Sequence, residues 1–409
     1  MPRPERLPLS YVQRRMWFVN QTSDQGQAHH VRTCLRLTGP LDRGALEAAV
    51  GDLVDRHEVL RTLLPEHEGQ PYQLVLTGEQ ARPTIRSVTA APGELREVLE
   101  EVARAPFDLV TDLPLRVFLA EVGVDEHVLL LVAHHIACDG WSMAPLARDL
   151  ATAYEARLRK DLPGWEPLEV QYADYTLWMR QLLGDEADQD SVIAGQVAYW
   201  RETLRGLPDQ LELPTDRPRP PVASHRGDTI LVNADADLHR DLLALAQHHR
   251  ASLFMVVQAA LAALLNRLGA GTDIPVGTPV AGRTDAALDD LVGCFINLLV
   301  LRADVSGEPT FAELLDRVRQ ADLAAFSNQD LPFERLVETL NPARSLARHP
   351  LFQVLLVHQN NTKAELEFAG LSARTEPVSD PVAEFDLTLD VLENHAADGR
   401  PDGIHFCFE

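Results

Sequence analysis

Val128-Leu129-Leu130-Leu131-Val132-Ala133-His134-His135-Ile136-Ala137-Cys138-Asp139-Gly140 is the stretch that decides how this chain is organised. Its six opening apolar residues predict a short strand covered on both faces. Two imidazoles, an acid and a glycine follow at the strand's C-terminal end, where active-site groups often sit. Past the turn, Leu146, Leu150, Tyr154 and Leu158 recur every four residues and predict a helix from Ser142, its N-cap, to about Lys160. The motif therefore lies between a buried strand and a helix, an α/β arrangement.

A lone histidine at a strand end is more often hydrogen-bonded structure than a catalyst, so the weight rests on the combination. Adjacent strand residues point to opposite faces, so His134 and His135 cannot easily share one metal ion and must do different jobs. One imidazole can face a cleft while the other packs. Asp139, on the turn, either orients an imidazole or pairs with a buried arginine, because a buried carboxylate without a partner is costly. Gly140 permits close backbone approach or positive φ.

The 409 residues, 45% of them hydrophobic, exceed the size at which one core usually stops growing, and two lobes are expected. In the first half, Val31–Leu37 reads as a strand and Leu41–His57 as a helix, with Leu46, Val50, Leu53 and Val54 on one face. Beyond Trp178 come the acidic run Gly184–Asp190, a helix near Val192–Leu204 and the proline-rich Leu213–Pro221. That shift sets the expected division: an N-terminal lobe over 1–178, a connection over 179–221 and a C-terminal lobe over 222–409. The second half repeats the alternation, with helices near Asp237–Arg250 and Ser252–Leu268 and strands near Ile274–Val280, Cys294–Arg302, Phe352–His358, Glu384–Leu392 and Gly403–Phe408. A helix opens at Thr310 with a capping box to Glu313. The chain ends at Glu409 inside an apparent strand, so the second lobe is expected to lack its last elements.

Against 37 basic residues stand 61 acidic ones, a net charge of −24, which repels a phosphate backbone and argues against nucleic acid. Cys34, Cys138, Cys294 and Cys407 are scattered singly and read as reduced thiols without a zinc or disulfide pattern. The polar N-terminus has no signal-peptide core, and Ser252–Leu268 is too short and too interrupted to span a bilayer. A soluble cytoplasmic protein without a membrane partner is expected.

His134-His135-x-x-x-Asp139-Gly140 resembles the HHxxxDG signature of the condensation domains of nonribosomal peptide synthetases, and the family's other motifs occur in order. Leu9–Phe18 is similar to the first, Arg56-His57-Glu58-Val59-Leu60-Arg61-Thr62 to the second and Tyr172–Trp178 to the next after the signature. Val292–Asn297, Asn328–Glu334 and Arg344–Leu351 resemble the last three. Most also read as structure: Arg56, His57, Glu58 and Arg61 as an ion-pair network closing a helix, Tyr172 and Trp178 as packing, and Pro332-Phe333-Glu334 as a helix start.

The resemblance implies two chloramphenicol acetyltransferase-like α/β lobes in a V-shaped pseudo-dimer with a central substrate tunnel. It implies a peptide-bond-forming acyltransferase in which the α-amine of an acceptor aminoacyl thioester attacks a donor acyl or peptidyl thioester. Both substrates ride on the phosphopantetheine of peptidyl carrier proteins, upstream (donor) and downstream (acceptor), with an adenylation domain as neighbour. His135 becomes the expected base or amine-positioning group, supported by His134, Asp139 and Gly140. Cys138, Trp141, Ser142 and Asn297 are assigned to the substrate channel, and Arg283 and Arg61 are the structural partners expected for the motif. No metal or cofactor bound by the domain itself is implied. Ile136-Ala137-x-Asp139-Gly140-Trp141, Tyr172–Trp178 and the Gly184–Ser191 insertion resemble domains whose donor ends in a D-residue. Ala28-His29-His30-Val31 does not supply the N-terminal histidine motif of a dual epimerising and condensing type. Cys138 stands where relatives are commonly small or glycine-like, and Ser345, Ala347 and His349 stand where the family often has Asp, Ser and Asn. An epimerisation domain would carry a further glutamate motif that is not found here, and a silent recruitment platform would be expected to lose the second histidine or the glycine.

Overall fold

A computed structural model describes residues 2–22, 30–89, 93–343, 345–360, 368–376 and 383–409. Ala28, His29 and Arg344 of the motifs above lie outside the described residues. The chain forms two compact units, each with its own sheet and hydrophobic core. The first comprises Met1–Leu182, Ala281–Ile296 and Asn361–Asp380, and the second the remainder.

In the first unit a five-stranded sheet runs in the order Ser372–Glu376, His30–Thr38, Glu126–His134, Leu115–Gly123, Ile85–Val88. The strand of the deciding stretch is its central member. Hydrogen-bonded on both sides, it buries Val128 to Val132 to at most 3% exposure on alternate faces, as its unbroken apolar run requires. Helices Arg43–Arg56 and Met143–Leu158 pack on one another. The first is capped by Asp42, whose carboxylate accepts the Ala45 N–H at 2.9 Å, and it buries the predicted Leu46, Val50, Leu53 and Val54. At its C-terminal end Arg56 and His57 share the buried Asp149 at 2.8 and 2.9 Å. Burial holds His57 below the ordinary imidazole value, outweighing the opposite pull of Asp149.

The second unit is built on a six-stranded sheet in the order Asn297–Asp304, Asp273–Val280, Val354–His358, Leu387–His395, Pro401–Phe408, Ile230–Ala234. Its most apolar helix, Leu253–Arg267, supplies much of the core. No single helix among the described residues is long and apolar enough to cross a membrane. The capping box at Thr310 is present, with reciprocal bonds to Glu313 of 3.3 and 2.8 Å.

Two expectations need correction. A contiguous C-terminal lobe over 222–409 does not describe the units, because Ala281–Ile296 and Asn361–Asp380 group with the first. Strand Ser372–Glu376 pairs with His30–Thr38, and the backbone of residues 293–295 is hydrogen-bonded to Asp139, Ser142 and Tyr172. For the same reason the strand expected from Cys294 begins only at Asn297.

Gly277 lies inside strand Asp273–Val280, an unfavourable place for glycine unless another group comes close. That group is the fully buried ring of Phe352: a Cβ on residue 277 would lie 2.1 Å from its Cε2. Gly277→Ala should therefore destabilise the second unit by about 1–3 kcal/mol, the usual cost of overpacking, seen as a lower urea midpoint for that unit's transition.

Candidate active site

His134 closes the central strand and is fully buried. Its Nδ1 accepts the Ile136 N–H at 3.0 Å, and its ring lies edge-on to Phe107 and His30, with centroids 5.7 and 5.9 Å away. An imidazole held in this way is a packing element that shapes the turn.

His135, one residue further, has left the sheet. The turn is closed by Ala137 N–H to His134 O at 2.9 Å, and His135 is half-buried. Its Nδ1 lies 3.6 Å from Cys294 Sγ, while Nε2 makes no hydrogen bond among the described residues. When Nδ1–H donates to the sulfur, Nε2 keeps its lone pair and can accept a proton or hydrogen bond. In the opposite polarity the thiol donates and Nε2–H becomes a donor. The two imidazoles thus have separate surroundings.

Asp139 is fully buried, and among the described residues its carboxylate accepts no hydrogen bond from either histidine ring. Its Oδ1 accepts the Ser142 N–H (2.8 Å), the Ser142 Oγ–H (2.7 Å) and Arg283 Nη2 (3.3 Å), while Oδ2 accepts the Phe295 N–H (2.9 Å). Asp139 is thus the N-cap of the turn that leads into helix Met143–Leu158. Ser142, expected in that role, makes no side-chain cap bond to the helix. The backbone N–H of Asp139 donates to Gly293 O at 3.1 Å.

Arg283 completes this knot. Besides Asp139 it reaches Ser142 Oγ at 3.0 Å and the Leu291 and Leu288 carbonyls, and its guanidinium carbon lies 4.2 Å from the Phe295 ring centre. That is a charged hydrogen bond combined with a cation–π contact. Tyr172 Oη holds the next turn of the segment, donating to Cys294 O at 2.6 Å with Ser10 Oγ 2.9 Å away. Burial raises the Tyr172 phenol well above its ordinary value, which keeps it a neutral donor. Gly293 fits only because it has no side chain: a Cβ there would lie 2.3 Å from Tyr172 Cδ2.

Several expected positions fall elsewhere. Cys138 is fully buried, its Sγ against Met143 and the Asp139 carbonyl, so it fills core rather than an open wall. Burial raises its thiol pKa far above the ordinary value. Ser142 is likewise buried and committed to Asp139 and Gly293. Trp141 is half-buried and Gly140 exposed. Asn297 belongs to the second unit, where its amide donates to the Gln329 and Leu331 carbonyls (2.8 Å each) and accepts the Phe333 N–H (3.0 Å). Arg61 does not partner the motif. It satisfies a carbonyl left over at the end of helix Arg43–Arg56, Val54 O (3.1 Å), and also bonds Leu76 O (2.6 Å) just past strand Gln70–Val75.

Cys294 and Gly293 carry local functions that sequence reasoning did not assign, although both stand inside a quoted motif. Nothing in their local pattern says that the chain returns to His135 and Tyr172. Replacing Asp139 by Asn keeps the shape but leaves Arg283, 6% exposed, without its counter-charge. D139N should lose about 3–5 kcal/mol of stability, the cost of breaking a buried pair, measured by thermal or urea unfolding.

Comparison with known proteins places this geometry. The model of the condensation-domain family matches residues 4–399. A dimodular nonribosomal peptide synthase of Bacillus subtilis (strain 168) is 54% identical over 407 residues, a match that covers the whole chain but 17% of that synthase. Among solved structures, the X-domain from teicoplanin biosynthesis superposes with a TM-score of 0.91 at 37% identity, covering 100% of this chain and 90% of that one. The first condensation domain of the calcium-dependent antibiotic synthetase, at 22% identity and a TM-score of 0.74 over 99% of this chain and 91% of that one, shares the fold. With its chloramphenicol acetyltransferase-like fold and a family match running almost from end to end, the chain belongs to the condensation domains of nonribosomal peptide synthetases.

Proposed function

We propose that this domain forms a peptide bond between two carrier-bound substrates, with His135 holding the acceptor amine and taking its proton. The observation that carries the reading is the division of labour in the motif. His134 is buried and bonded to its own turn, Asp139 is spent on four structural hydrogen bonds, and His135 alone is half-exposed with Nε2 uncommitted among the described residues. In the reaction the acceptor ammonium first loses a proton. Its nitrogen then bonds the donor carbonyl carbon and gives up a second proton, the carbon–sulfur bond breaks, and the donor arm leaves as a thiolate that takes up a proton in exchange. The peptide ends on the acceptor arm and a free thiol on the donor arm. Thioesters are activated acyl donors, so juxtaposition of amine and carbonyl supplies much of the rate.

Upstream and downstream peptidyl carrier proteins and an adjacent adenylation domain are the proposed partners, and the cytoplasm the proposed location. The D-configured donor terminus rests on Ile136-Ala137-x-Asp139-Gly140-Trp141, the Tyr172–Trp178 motif and the Gly184–Ser191 insertion. A second reading, a silent platform that recruits other enzymes, draws support from the likeness to the X-domain, which has been captured in a complex with OxyB. The intact His135 and Gly140 favour chemistry over that role.

Transfer between loaded carrier proteins tests both readings. His135→Ala should lower single-turnover peptide transfer by roughly 10²–10⁴-fold, the range for removal of a general base, with the unfolding midpoint unchanged. Equal transfer by wild type and H135A, or none by wild type, would remove the proposal. A donor ending in a D-residue should be consumed faster than its L-epimer, and a preference for the L-epimer would reverse the assignment.

A further inference from the structure

In the second unit, three imidazoles converge on one carboxylate. Glu393 and His395 stand two residues apart at the end of strand Leu387–His395. His358 ends the neighbouring parallel strand Val354–His358, and its Nε2 lies 2.9 Å from Glu393 Oε1. From the first turn of helix Ala236–His248, the fully buried His239 brings Nε2 to 2.9 Å from Glu393 Oε2. His395 Nε2 points at the same Oε2 from 3.9 Å, too far for a hydrogen bond.

A purely structural hub explains part of this. Two neutral imidazoles donating to the two oxygens satisfy the carboxylate and pin the helix to the sheet. It does not explain the His395 ring, which makes no hydrogen bond among the described residues yet lies edge-on to the His239 ring at 5.5 Å. One ligand atom from each of His239, Glu393 and His395 can be chosen so that all lie within 4.8 Å of one another. Ligands bound at 2.0–2.2 Å to a tetrahedral ion sit roughly 3.3–3.5 Å apart. The two separations from Glu393, 2.9 and 3.9 Å, bracket that value, so shifts of about half an ångström would bring both imidazoles to ligand spacing from the carboxylate.

We infer that His239, Glu393 and His395 form a binding site for a divalent ion of the zinc class, with His358 orienting the carboxylate through its second oxygen. Imidazole nitrogen with carboxylate oxygen suits such an ion, and a carboxylate fixed by an outer hydrogen bond is the usual second shell. His395 is 47% exposed, which leaves an entry path and room for water as the fourth ligand. On binding, the proton between His239 Nε2 and Glu393 moves to Nδ1, and both side chains turn lone pairs to the ion. The site is distinct from the HHxxxDG motif, and its effect would be to lock the start of a helix onto two strand ends.

Zinc titration of tag-free, chelator-stripped protein tests this, read by competition with a chromophoric chelator and by thermal unfolding. One equivalent of Zn²⁺ should bind and raise the melting temperature. His395→Ala, at an exposed position that the fold does not need, should weaken binding by at least about 10-fold, and Glu393→Gln should do the same. Both variants should keep wild-type circular dichroism without zinc. Absence of saturable one-equivalent binding, or wild-type affinity in both variants, would overturn the assignment.

Discussion

A carboxylate sealed from water is the constraint around which the reactive turn is arranged. Ionised, Asp139 would cost several kcal/mol to bury without compensation. Ser142 supplies two donors from the same turn, but the other two, from Arg283 and Phe295, come from far along the chain. The turn and residues 283–295 are therefore one piece. Arg283, stacked on Phe295 and bonded to the Leu291 carbonyl, cannot leave without exposing the acid's charge to an apolar surround. Gly293, closed in by Tyr172, lets the two backbones approach to a 3.1 Å hydrogen bond between Asp139 and Gly293.

This arrangement gives the aspartate a different role from a catalytic-triad acid, which bonds the imidazole directly and fixes its tautomer. Here the group at His135 Nδ1 is the Cys294 sulfur, a weak donor and weak acceptor. The ring is steered by the turn and loosely by the thiol, so either tautomer is allowed. For the proposed reaction that is adequate. Juxtaposing two carrier-bound groups can supply about 7–11 kcal/mol, against the roughly 3–5 kcal/mol that a 10²–10⁴-fold base contribution represents.

Much of this was legible in the sequence because periodicity and burial agree there. The apolar run over 128–133 and the four-residue spacing from Leu146 have one physical solution each, and the strand end implies that the two histidines differ in surroundings, while the choice of His135 comes from the family resemblance. Arg283 was reachable as the cation a buried acid demands. Arg61 was not separable from it, since both are arginines in family motifs and only the path of the chain distinguishes them. It brings Arg61 back to the Val54 and Asp55 carbonyls of the helix it follows and to Leu76 O beyond. Proximity in sequence to His135 does not make a residue line open space: Cys138 and Ser142 turn inward, and Asn297, singled out by the family resemblance, is committed to carbonyls of its own unit. Gly293 and Cys294 were opaque because their partners are more than a hundred residues away.

Two carboxylates in this chain show how donor geometry separates structure from binding. Around Asp139 the four donors lie between 2.7 and 3.3 Å and compensate the acid from its own turn and from residues 283–295, so the cluster is a structural knot although it stands beside the reactive turn. Around Glu393 the count is out of balance among the described residues: two imidazoles are bonded and a third waits at 3.9 Å. Folding gains little from a half-exposed histidine that stops short of a bond. A surplus of this kind is explained when the missing member is a small cation that several ligand atoms approach at once. By that criterion the side chains best placed to bind something are found by counting unspent donors and lone pairs, and only secondarily by closeness to a known motif.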